Sequence, residues 1–174
     1  MRRRLNITII AITTISLFAI VRGDDTGKSK PPASAPAEAV PEGTLLLKPQ
    51  AARIHGFRLK LDPKPVPTLI FWVDPNEYIE WPKAAKKGKY TVEVTYSCAP
   101  NAGGEFMVKA AANKVVAYTK NTKDWHTFQT LNIGTLTVLN DNTSIALRST
   151  GNISRVLMNV RGVKLTMVKE EKKK

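Results

Sequence analysis

Read from its residues alone, the chain folds as an all-β, antiparallel two-sheet β-sandwich. Three observations predict this. Gly88 to Ala110, GKYTVEVTYSCAPNAGGEFMVKA, alternates apolar and polar residues at period two on either side of an Asn/Gly turn. The segments around it are short, β-branched and separated by turn residues such as Asp74-Pro75-Asn76 and Asn140-Asp141-Asn142. Finally, strands that are polar on one face and apolar on the other cannot bury themselves singly, so a second sheet must cover the apolar face.

The elements follow in order. Leu45 to Lys48 is a short apolar run, continued past Pro49 by Ala51 to Ile54. Leu59 to Leu61 reads as an edge piece before the Pro63, Pro65, Pro67 cluster. Leu69 to Val73 is continuously apolar and reads as a strand buried on both faces. Tyr78 to Trp81 leads into the central stretch. There Tyr90, Val92, Val94, Tyr96 and Cys98 face one way, a turn at Asn101, Gly103 and Gly104 follows as a hairpin connection, and Phe106, Val108 and Ala110 resume the pattern. Glu105 to Tyr118 also threads as a helix, because its alanines favour one, but Val108, Val115 and Val116 favour strands. Val115 to Thr119 pairs back. Phe128 to Val138 is broken near Gly134, Thr143 to Ser149 points Ile145 and Leu147 inward, and Val156 to Val168 bends at Gly162.

The ends differ in kind from this domain, which spans 43–168. Met1 to Gly23 has the form of a secretory leader: MRRR, then an apolar run from Leu5 to Val21. Cleavage and retention as a membrane anchor both stay open, and either exports the domain to the periplasm, the cell envelope or the medium. Residues 24–42 form a Pro/Ala-rich linker, and 169–174 a charged tail. The formal charge is +13, which falls to +9 without Arg2, Arg3, Arg4 and Arg22. Such a charge draws anionic partners, although the lysines are scattered as on an ordinary solvated surface. The single cysteine, Cys98, excludes an internal disulfide and reads as a buried small apolar residue.

Acid–base and phosphate-binding patterns are missing: the sequence has no HExxH, CxxC, GxSxG or P-loop, and only two histidines, His55 and His126, each read as a surface or hydrogen-bonded residue. An enzyme is therefore not expected. The informative residues are Trp72, Trp125 and Trp81, near strand ends or loops. An exposed tryptophan covers the C–H face of a sugar ring, and a buried one fills the core; both readings stay open from the residues alone.

Four blocks, FWVDPNEYIEW, GKYTVEVTYSCAPNAGGEFMV, KDWHTFQTLNIGTL and VLMNVRGVKL, together resemble the galactose-binding-like β-sandwich of family-six and family-thirty-five carbohydrate-binding modules. The closest likeness is to the subgroup attached to secreted bacterial sulfatases and glycosidases. The resemblance implies a jelly-roll that binds sugar at its loop edge, between two aromatics and with an asparagine from the last strand. Those positions fall on Trp72, Trp125 and Asn159, while Trp81 aligns with a buried aromatic. It also implies a polysaccharide ligand and a glycan-processing enzyme as associate, with no nucleic acid; the basic charge suits an anionic glycan. Relatives hold calcium through carboxylates on the first strand, but LLLKPQAARI has none, so no metal or other cofactor is expected. The rival reading is an envelope-tethered protein-interaction or structural domain of the same fold. Exposure of both Trp72 and Trp125 favours sugar binding, and burial of both favours the rival.

Overall fold

A computed structural model describes residues 42–169. The leader, the linker up to Pro41 and the tail beyond Lys169 lie outside the described residues. Eleven strands follow one another: β1 (Thr44–Leu47), β2 (Arg53–His55), β3 (Lys60–Asp62), β4 (Thr68–Ile70), β5 (Tyr78–Ala85), β6 (Gly88–Ser97), β7 (Gly103–Ala110), β8 (Asn113–Tyr118), β9 (Gln129–Val138), β10 (Thr143–Ser154) and β11 (Asn159–Met167). A single 3-10 turn, Pro49–Ala51, separates the first two. The segment that also threads as a helix is thus β7 and β8.

The strands form two antiparallel sheets. One runs β3-β4-β11-β6-β9, with β1 sharing the β4 side of β11; the other runs β2-β5-β10-β7-β8. Their facing surfaces carry the alternation seen in the chain. Tyr90, Val92, Val94 and Tyr96 of β6 meet Phe106 and Val108 of β7 across the core, with Ile145 and Leu147 of β10 beside them. Tyr96 and Phe106 pack as a tilted pair, ring centroids 6.2 Å apart.

Two expectations change here. The Gly-rich turn after β6 is not a hairpin connection, because β6 pairs with β9 and β11 whereas β7 pairs with β8 and β10. Both strands present their apolar faces to the same core, so the chain crosses between sheets. Gly104 marks the crossing: a Cβ there would stand 2.0 Å from the Asn152 carbonyl oxygen. The apolar run Leu69 to Val73 is likewise not one strand. β4 ends at Ile70, and Phe71 takes a left-handed backbone with φ 63°. Such a conformation is costly for an aromatic residue.

Cys98 is buried as expected, and burial raises its pKa above the ordinary thiol value. Trp81 is core, its indole N–H donating to the Lys48 carbonyl at 2.8 Å. β11 does bend: Arg161 is the extra residue of a bulge between Val160 and Gly162. Gly162 belongs there because a Cβ would approach the Leu47 carbonyl oxygen at 3.0 Å.

Candidate functional site

The loop-edge cleft begins at the start of β11. Asn159 pairs with Ser97 of β6. Ser97 Oγ donates to the Trp125 carbonyl at 2.8 Å, and Asn159 Nδ2 donates to the same oxygen at 3.4 Å. Two neighbouring strands therefore hold the backbone of Trp125 while its ring remains partly exposed. The following turn is tied by Asp124, whose Oδ1 accepts from the backbone N–H groups of His126 at 2.7 Å and Thr127 at 2.6 Å. Those bonds favour the carboxylate and lower the Asp124 pKa below its ordinary value. Behind the loop, buried Thr122 Oγ1 accepts from Cys98 N–H at 2.9 Å.

Trp125 and Asn159 line one cleft of about 470 Å³, within the range of small-ligand sites. Trp72 does not. It is 0% exposed, its Nε1–H donates to the Glu77 carbonyl at 3.1 Å, and its own carbonyl accepts from Leu157 N–H at 2.8 Å. With both faces packed, its ring offers nothing to a sugar, so its assignment to the site is corrected. Its neighbour replaces it: Phe71 is 58% exposed and lines the cleft. Leu69 points inward, so an uninterrupted strand would have placed Phe71 inside and Trp72 outside. The left-handed backbone at Phe71 exchanges them, and a hydrogen bond from Val73 N–H to the Phe71 carbonyl closes the turn.

Arg161 is the second residue missed. Its guanidinium lies 3.6 Å from the centroid of Phe128, and both line the cleft. Stacking on an aromatic face fixes the guanidinium plane. Its Nε is buried without a hydrogen-bond partner. A signal existed, because Arg161 follows Asn159 by two, the spacing of side chains sharing a strand face. His126, expected at the surface, is exposed and also lines the cleft.

Chemically, the cleft provides aromatic surface, the remaining amide hydrogen and carbonyl of Asn159, and a cation. It lacks three or more metal-ligating side chains in one place, as do the described residues as a whole. No family model matches the chain. No curated protein matches it either. Solved structures do. A family 35 carbohydrate-binding module from Clostridium thermocellum superposes with TM-score 0.59 at 18% identity, covering 72% of this chain and 98% of that one. A carbohydrate-binding module of lichenase 5A from Cellvibrio mixtus, solved with cellotriose, gives TM-score 0.55 at 12% identity over 71% and 97%. Another family 35 module, in complex with a disaccharide containing glucuronic acid, gives TM-score 0.59 at 17% identity over 72% and 94%. The fold is that of the family 6 and family 35 carbohydrate-binding modules.

Proposed function

We propose that the chain is a secreted, non-catalytic carbohydrate-binding module that takes an acidic sugar in the cleft between Trp125 and Phe71. One observation carries the reading: an aromatic ring, an amide and a guanidinium converge on a single open cleft, each fixed from behind. Trp125 supplies a face for the ring C–H groups, Asn159 hydrogen bonds for hydroxyls, and Arg161 a charged donor for a carboxylate or sulfate. The structures solved with cellotriose and with a glucuronic-acid disaccharide support a sugar as the ligand class. The Arg161 side chain lining the cleft and the +9 charge that remains without the leader arginines support an acidic one. Export rests on the leader, and association with a glycan-processing enzyme rests on the family resemblance.

The test is a glycan array probed with the protein, followed by calorimetric titration of the strongest ligand. Arg161→Gln is expected to weaken uronic or sulfated ligands far more than neutral ones. Equal binding of neutral and acidic glycans by both proteins removes the acidic preference, and retention of full affinity by Trp125→Ala removes the cleft.

A further inference from the structure

We propose that the cleft continues past Phe71 into a second, cationic subsite built around Phe57, so that the chain grips an acidic polysaccharide along its length. The inference rests on the cleft being the sugar site. A second groove of about 420 Å³ is lined by Phe57, Arg58, Lys60, Phe71 and Val73, and Phe71 is common to both grooves. The β3–β4 ladder joins them. Asp62 pairs with Thr68, both lining the first groove, and Lys60 pairs with Ile70 one step along the same face. That step is about 7 Å, two residues of extended chain.

Phe57 is 91% exposed. A lone exposed aromatic is ordinary, but this one sits on a fixed backbone. The buried carboxylate of Glu77 accepts three consecutive N–H groups, from Phe57 at 2.5 Å, Arg58 at 2.6 Å and Leu59 at 2.8 Å. Leu59 anchors the loop in the core. Gly56 makes room for the clamp, since a Cβ there would lie 2.5 Å from the Glu77 side chain. A buried acid thus fixes the backbone from which an apolar ring projects into water, which lowers the part of the ordering cost that the loop would otherwise add to binding.

Charge selects the occupant. Arg58, Lys60 and Lys64 are exposed along this edge, and the ion pairs among the described residues, His55–Glu80 and Lys164–Glu93, lie elsewhere. With Arg161, cations line both grooves, against one carboxylate, Asp62, in the first. A polymer carrying an anionic group on each repeat would meet a cation and a stacking face in each groove.

The experiment titrates the full chain with alginate, polygalacturonate and heparin, each as polymer and as disaccharide, at two salt concentrations. Phe57→Ala is expected to weaken polymer binding roughly five- to tenfold and leave the disaccharide unchanged. Arg58→Gln with Lys60→Gln is expected to do the same and to flatten the salt dependence of polymer binding. Trp125→Ala is expected to lose both ligands. A polymer-to-disaccharide affinity ratio unchanged in Phe57→Ala overturns the second subsite and leaves the first standing. Full affinity in Trp125→Ala removes the first site, whatever Phe57 does. Binding of the wild-type chain to phosphatidylserine vesicles but to none of the polymers assigns the edge to a lipid surface and overturns the inference. Urea unfolding of each variant confirms that the fold is retained.

Discussion

Trp72 and Trp125 lie in loops at the same edge of the sandwich, yet one belongs to the core and the other to the surface. In Trp72 the ring itself is held as well as the backbone: the ring is packed, its N–H is bonded to the Glu77 carbonyl, and the Trp72 carbonyl receives Leu157 N–H. In Trp125 the backbone is held, by Ser97 and Asn159, and the ring is left facing the cleft. The difference separates a structural aromatic from a presented one. Fixing the ring stabilises the fold, whereas fixing the carbonyl behind the ring prepares a surface.

The contrast breaks most sharply with Trp72→Ala. Removing a fully buried indole is expected to cost about 3–5 kcal/mol and to carry binding away with the fold. Urea unfolding measures it, and a loss of less than about 1 kcal/mol would mean that the ring is not core. Trp125→Ala is expected to weaken glycan binding by about 2–4 kcal/mol, as a central aromatic contact does, with a smaller effect on unfolding. Titration and denaturation of the same variant separate the two. Asn159→Ala follows, at about 1–3 kcal/mol of affinity, because a sugar hydroxyl loses its partner and the Trp125 carbonyl loses one of two donors.

The smallest effect is one of pH. The folded-state pKa of Asp124 is depressed by the His126 and Thr127 N–H groups, so its contribution is complete above the ordinary aspartate value. It is lost as pH falls through the depressed folded value. The Trp125 fluorescence, taken as wild type minus Trp125→Phe without ligand, is expected to stay constant from neutral pH down to about pH 5 and to change only in more acidic solution, below about pH 4. In Asp124→Asn that acid change should disappear. A transition near neutral pH would mean that Asp124 is not the group that moves the Trp125 signal.

These variants also mark how far the residues could be read in advance. The shared cleft position of Trp125 and Asn159 and the burial of Trp81 follow their blocks, and the inward face of β6 was legible from period two alone. The exchange of Phe71 and Trp72 was not. A left-handed aromatic leaves no local signature, because its cost is repaid by distant partners such as Leu157 and Glu77. Nothing local marks Glu77 either, because its three backbone donors come from a loop some twenty residues earlier in the chain.

By itself, then, the sequence determined the all-β class, most strand positions and the inward faces of β6, β7 and β10, since alternation and turn chemistry act over a few neighbouring residues. Only the tertiary structure decided that β6 and β7 belong to opposite sheets, that Phe71 and not Trp72 faces the cleft, and that Arg161 stacks on Phe128. Each depends on a contact between segments far apart in the chain, where a backbone atom or a ring occupies the space that local preference would have assigned to something else.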